Sequence, residues 1–339
     1  MINDIDNIEP FLEDGSCKLV IADIAGAKKA LGLTMGRGHI VVREQWSLPV
    51  VNGYTSSLLF VDSLAGKCGR VLGAPVAESG ELRSALFIPG ARNYYHFLVA
   101  NFPSLLMLAG RGEEKLTVLT QHGFPQSLDT FIRETVIPCL TGGRPVEIAQ
   151  VPHGDYAVRD VVFRMVPPPS LAALMAHRVR KMVWAKAGLK DAQAELGGLK
   201  LFVLRQSGAS ERMLLNQDEV RAWFEARGYT AVDPGALPIE EQILLFSRAT
   251  HIAGVEGAGL ANLLFTAGRP DVTLLASPAV MHETFFPGLA KAVGLRLDMI
   301  AGIAEAGPPT RAAHFTLPLS RLDAHAGGDI TADWLRRYS

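Results

Sequence analysis

Residues 252–262 read Ile-Ala-Gly-Val-Glu-Gly-Ala-Gly-Leu-Ala-Asn, a short β-type run, a glycine-rich turn and the opening of a helix. Glycines there let backbone N–H groups approach a diphosphate, and the dipole of the following helix favours its negative charge. The same glycines would equally serve a strand-to-helix turn that only has to pack tightly or take a positive φ. Arg205 leaves the end of a second run, LFVLR, where a planar guanidinium could pair two phosphate oxygens at once. Arg212 follows on the same loop, either as a second clamp or as half of a loop salt bridge, and Asn216 opens the next helix. A third segment, Arg92-Asn93-Tyr94-Tyr95-His96-Phe97, starts a helix nearer the N-terminus. His96 there either projects into a cleft, holding a proton near neutral pH, or is a core histidine satisfied by the backbone. No D-x-D ends a strand, and the histidines and cysteines form no cluster, so no metal is expected.

These residues need a scaffold, and the pattern around them supplies one. Short β-type runs at 18–25, 39–43, 57–62 and 84–88 make the first part strand-rich. A helical spacing over 94–108, a strand at 116–119, a helix at 127–136 and a strand at 161–165 follow. Pro167-Pro168-Pro169 is the strongest break and is taken as the hinge. Ser170 then caps a helix to about residue 187, with Arg178, Arg180, Lys181 and Lys186 on its solvated face. Beyond it, strands at 200–204, 230–232, 251–253 and 271–275 alternate with helices at 216–227, 239–249, 259–265 and 284–293. That alternation predicts a parallel, doubly wound sheet, whose ligands bind at the carboxyl ends of its strands. Residues 331–337, with Trp334, are expected to form a terminal helix.

Composition narrows the class. The 339 residues carry 33 Lys and Arg against 34 Asp and Glu, leaving no overall field to gather nucleic acid or anionic lipid. Hydrophobic residues at 48% and charged residues at 20% suit packed cores rather than a disordered chain. Three scattered cysteines make no disulfide framework. The acidic N-terminal stretch lacks the basic and apolar regions of a secretory signal, and no run is long enough to span a membrane. The expected setting is cytoplasmic, with at most peripheral contact at the inner membrane face.

Three segments in this order resemble the glycosyltransferase 61 family over roughly residues 84–295: NYYHFLVANFPSLLML, LRQSGASERMLLNQDEV and EEQILLFSRATHIAGVEGAGLANLLF. The resemblance implies a GT-B-like α/β fold, two Rossmann-like domains with doubly wound parallel sheets facing a cleft. It implies inversion at the anomeric carbon without a metal or other cofactor. The donor would be a nucleoside diphosphate sugar, UDP-linked, and the acceptor a glycan or glycolipid, with no nucleic acid partner. Carried onto this chain, His96 and Glu256 are the expected catalytic residues. Arg205, Arg212, Asn216, Gly257, Ala258, Gly259, Leu260 and Asn262 would hold the donor, and Asn93 and Tyr95 the acceptor. Two positions depart from the family: Glu256 stands where histidine is usual, and Leu275-Ala276 where an acid is usual. These departures keep open a rival reading, a catalytically inactive nucleotide-sugar-binding or scaffold protein of a polysaccharide assembly system. A dinucleotide oxidoreductase is disfavoured because no early G-x-G-x-x-G with a later acid follows a strand. The expected division is an acceptor-side domain at 1–166, a linker and helix at 167–197, a donor-binding domain at 198–310, and a tail at 311–339 returning toward the first domain.

Overall fold

A computed structural model describes residues 17–22, 41–43, 49–51, 81–88, 94–110, 114–120, 123–150, 154–163, 169–189, 198–205, 212–305, 313–328 and 332–338. The strand expected at 57–62, and Asn93, lie outside the described residues. The chain divides into two compact units, Met1–Leu171 and Ala172–Ser339, the boundary falling just inside the helix that follows the prolines.

The first unit holds β1 (Cys17–Ala22), β2 (Val41–Arg43), β3 (Pro49–Val51), β4 (Glu81–Ile88), β5 (Leu116–Thr120), β6 (Val146–Gln150) and β7 (Gly154–Phe163). Its sheet runs β2-β1-β7-β4-β5-β6, with β3 also pairing β1. The pairs of β4 with β5, β5 with β6 and β4 with β7 are parallel, whereas β1 meets both β2 and β7 antiparallel. This sheet is therefore mixed where a wholly parallel one was expected. Between β4 and β5, residues 94–110 are helical: α1 (Tyr94–His96), a π-helical stretch (Phe97–Asn101) and a 3-10 stretch (Phe102–Gly110). Between β5 and β6 lie α2 (Gln126–Phe131), a second π-helical stretch (Ile132–Val136) and α3 (Ile137–Thr141), which ends on Gly142 in the left-handed conformation at φ 63°.

The second unit opens with α4 (Pro169–Lys186) and builds a sheet from β8 (Leu199–Val203), β9 (Thr230–Val232), β10 (Ala249–Val255), β11 (Asp271–Ala276) and β12 (Arg296–Ala301). A small hairpin, β13 (Ile303–Ala304) and β14 (Phe315–Thr316), lies beside it, and β15 (Leu335–Tyr338) closes one edge. The order is β9-β8-β10-β11-β12-β15, parallel throughout except for β15. The helices follow the apolar spacing of the sequence. In α5 (Gln217–Glu225), Val220 and Phe224 are buried four residues apart; in α6 (Ile239–Arg248), Ile239, Ile243 and Phe246 form the inner stripe. A 3-10 helix (Ala258–Phe265) follows β10, and α7 (Phe285–Val293) follows β11. Phe202, Ala253, Val255, Leu275 and Ile300 face one side of the sheet, against Val220 and Phe224 of α5 and Leu322 of α8 (Leu319–Ala326).

Two expectations change here, and three elements are new to the reading. Residues 335–338 are a strand rather than part of a terminal helix: antiparallel pairing with β12 and burial of Leu335 outweigh the weak helical preference of so short a segment. β12 itself interrupts its apolar residues with Asp298, so only its place between β11 and β15 reveals it as a strand. β6 and α8 were also not expected. Finally, Arg180 does not lie on a wet helix face. It is 9% exposed, donates to the Thr266 carbonyl and to His177 Nδ1, and sits over Trp184 at 5.1 Å, while burial lowers its pKa to about 10. With Trp184 Nε1 donating to Ser247 Oγ at 3.0 Å, it fastens α4 to α6 and to the end of the 3-10 helix after β10, within the second unit. Among the described residues, no helix is long and apolar enough to cross a membrane.

Candidate functional site

In the second sheet, the first two parallel strands along the chain stand in reversed order, and the third lies on the other side of the first. The chain leaves β8 in one direction and β10 in the other, so a crevice opens beyond their carboxyl ends. Arg205 follows β8 and Glu256-Gly257 follow β10, which places both segments at this switch point. Arg205 Nη1 donates to the Glu256 carbonyl, and the Arg205 N–H donates to Gln217 Oε1 at 3.0 Å. Gln217, the first residue of α5, was not anticipated; nothing in its type or spacing marks it, because its role is to hold Arg205's backbone.

Glu256 is 8% exposed, and its carboxylate lies 2.8 Å from Arg212 Nε. A carboxylate so far removed from water needs a cation beside it, and Arg212 supplies one. Arg212 holds φ at 54°, the single left-handed non-glycine among the described residues. Its neighbours are tied down on the far side: Met213 N donates to His314 Nδ1, Phe315 N to the Met213 carbonyl, and Leu215 N to the Phe315 carbonyl. His314, which carried no pattern in the sequence, thus positions Arg212 through residues about a hundred positions away.

The glycines act through space rather than through φ. Gly257 is extended at φ 173°, a conformation open to any residue, yet a Cβ there would strike Arg205 Nη1. A Cβ on Gly254 would lie 2.8 Å from Val203 Cβ and 2.9 Å from the Val203 carbonyl oxygen. On Gly259 it would lie 3.3 Å from Pro234 Cγ. Gly254 and Gly259 therefore serve close packing, and Gly257 leaves room for an arginine. Gly257, Ala258 and Gly259 are part-exposed, and they open the 3-10 helix, whose first N–H groups have no acceptor inside it.

Three of the residues expected at the donor make contacts within the fold. Asn262 is fully buried; its amide donates to Gln242 Oε1 at 2.8 Å and to the Gly259 carbonyl at 3.0 Å, bracing the turn from beneath. Leu260 buries its side chain, and its N–H donates to the Gly257 carbonyl. Asn216 donates to the Leu317 carbonyl and to Glu219, and accepts from Leu317 N, which anchors the approach to α8. In each case a buried or crowded position needed its polar group satisfied within the fold. Leu275 and Ala276, at the position of the missing acid, are fully buried, and Ser277 just beyond them has a buried hydroxyl with no partner among the described residues.

Tyr95 and His96 belong to the first unit. Tyr95 is buried, while His96 is half-buried at the junction of α1 with the π-helical stretch, its ring edge-on to Tyr95 at 5.5 Å. Such π-helical insertions occur often at functional positions. Among the described residues, no three His, Cys, Asp or Glu side chains come together as a metal site would require.

Comparison with known families matches Glycosyltransferase 61 over residues 94–274, more than half of the chain. The chain belongs to the glycosyltransferase 61 family. The family match spans His96, both arginines and the glycine-rich turn, and it takes in β8, β10 and most of β11. Among solved structures, the chain is similar to the bacterial iron-containing dodecameric glycosyltransferase TibC from enterotoxigenic E. coli H10407. The two are 13% identical with a TM-score of 0.31, over 70% of this chain and 64% of that one. This chain thus spans just under two thirds of that protein's length, and the likeness is too distant to carry any property across. No curated protein matches the chain.

Proposed function

We propose that this glycosyltransferase 61 protein is an inverting, metal-independent glycosyltransferase. It moves a sugar from a UDP-linked nucleotide to a glycan or glycolipid acceptor, in a GT-B-like arrangement of two Rossmann-like units. The observation that carries this reading is the convergence of Arg205, Arg212 and the amides of Gly257–Gly259 at the β8/β10 switch point. In the reaction the acceptor hydroxyl oxygen attacks the anomeric carbon, the bond from that carbon to the diphosphate oxygen breaks, and the nucleoside diphosphate leaves with the electron pair. Arg205 and the turn amides balance the charge that develops on it, the largest electrostatic demand of the step. Glu256, held by Arg212, accepts hydrogen bonds from sugar or ribose hydroxyls. His96 takes the acceptor proton.

A second reading, a nucleotide-sugar-binding scaffold without turnover, is favoured by one feature: the Glu256 carboxylate neutralises Arg212 and leaves less positive charge for a diphosphate. Isothermal titration against a panel of nucleotide sugars, paired with a donor-hydrolysis assay in EDTA, separates the two. Binding with turnover in EDTA is expected. Binding without turnover supports the scaffold, a strict manganese requirement overturns the metal-free step, and no binding of any nucleotide sugar overturns both.

A further inference from the structure

The opposite edge of the second sheet carries a feature that the glycosyl-transfer reading leaves unused. Lys200 of β8, His251 of β10, Asp271 of β11 and Arg296 of β12 stand in register across four neighbouring strands at their amino ends. Registered positions on parallel strands project from the same face about 4.8 Å apart, so these side chains form one polar row. The row borders a cavity of about 630 Å³. Asp271 and Arg296 also line a second cavity, of about 370 Å³, which extends the concavity toward Arg269 and Lys291.

Charge along this edge is unbalanced. The two lining carboxylates are each already engaged: Asp271 with Arg296, and Asp298 with Arg337 and with His325 at 2.9 Å. Arg227 is matched by Asp323 at 3.1 Å. Lys200, Arg269 and Lys291 have no carboxylate partner among the described residues, although the chain as a whole is nearly neutral. Rings hold two of the cations in place: Trp223 and Tyr229 line the larger cavity, with Arg227 over Trp223 at 3.6 Å and Lys200 over Tyr229 at 5.5 Å. Cations without a carboxylate partner suit an acid substituent on a sugar ring. The volume lies in the range of ordinary small-ligand sites. A concave site with embedded carboxylates fits a chain better than a flat anionic surface.

We propose that the amino-terminal edge of the second sheet is a binding site for an anionic saccharide segment, separate from the switch point. The proposal rests on the glycosyl-transfer reading only for the glycan class of its ligand, and its test does not use turnover. The probe is a hyaluronan tetrasaccharide, which carries carboxylates, set against neutral maltotetraose and against phosphatidylglycerol vesicles. Binding to the full chain is read by tryptophan fluorescence and by calorimetry. The anionic tetrasaccharide should bind at least about tenfold tighter than the neutral one, and this margin should shrink as salt rises from low to high ionic strength. The fluorescence response should disappear in Trp223→Phe. A Lys200→Gln, Arg269→Gln, Lys291→Gln triple variant should lose the anionic preference while binding UDP unchanged. Should that variant fold poorly, the salt series on the unaltered protein decides alone. Equal binding of both oligosaccharides, binding only to vesicles, full binding in a folded triple variant, or displacement by UDP would each overturn the proposal. Failure of UDP to bind at all, with the saccharide still bound, would count against the donor site and leave this one standing.

Discussion

Replacing Gly257 by alanine separates the two roles that glycine plays around the switch point. The backbone at Gly257 is extended, so alanine fits its φ without strain, and the only group its methyl would strike is the far end of the Arg205 side chain. That end is flexible, so the fold should lose no more than about 0.5 kcal/mol, offset by the lower entropy of the unfolded chain. Arg205, however, must leave the Glu256 carbonyl, and with it the position from which it is proposed to meet a diphosphate. A hydrogen bond to a charged group contributes about 1.5–3 kcal/mol, which corresponds to roughly 10- to 150-fold in affinity. Gly257→Ala should therefore weaken UDP binding by about the same factor as Arg205→Ala, with an almost unchanged urea midpoint. Gly254→Ala is the control. Its methyl would press on Val203 Cβ and the Val203 carbonyl, neither of which can move without the strand, so about 1–3 kcal/mol of stability should be lost. Calorimetry with UDP and urea melts of the three variants make the measurement. Unchanged UDP binding in Gly257→Ala beside weakened binding in Arg205→Ala would refute the steric link, and a Gly257→Ala melt as low as that of Gly254→Ala would refute the assignment of the two glycines.

Three further outcomes are expected. His96→Ala should lower kcat by about 10²- to 10⁴-fold with UDP affinity within roughly threefold and an unchanged melting temperature; a large drop in melting temperature, or full activity, removes His96 from the mechanism. Glu256→Gln should cost about 1–3 kcal/mol of stability, because Arg212 loses its charge partner, and should weaken donor binding, because a neutral amide oxygen accepts the sugar or ribose hydroxyls less strongly than a carboxylate; tighter UDP binding in a folded variant would show that the carboxylate repels the diphosphate instead. Burial opposes the charge on Asp298, but hydrogen bonds from Arg337 and His325 outweigh it and hold the pKa below its ordinary 3.8. Since the folded value lies below the unfolded one, this stabilisation is present above about pH 4 and is lost as pH falls through the lower folded value. The protection of the β15 amides, taken as exchange relative to the intrinsic rate at each pH, should fall on acidification to pH 3 in the native chain and show no such step in Asp298→Asn; identical protection profiles would count against it.

Local pattern was enough to place β8, β9, β10 and β11 and the helices between them, because each unit buries its own apolar stripe and the stripe's period is written in consecutive residues. For the same reason Arg205 and the glycine-rich turn could be assigned to one sheet edge before any coordinates. Where a polar residue points was not legible in this way. Asn262 and Leu260 sit in the motif beside Gly257 and Asn216 follows Arg212, yet they make contacts with Gln242, with the turn itself and with Leu317, since a polar group taken from water has to be satisfied by whatever the fold brings near. The pairing of Arg212 with Glu256, the hold of His314 on the loop that carries Arg212, and the docking of Arg180 on Thr266 all join residues 44 to 101 positions apart, and no spacing rule reaches that far. β15 and the polar row at the amino edge follow the same logic. A strand that pairs only with β12, and a row that exists only once four strands lie in register, are properties of the sheet and not of any segment, so the tertiary structure alone decided them.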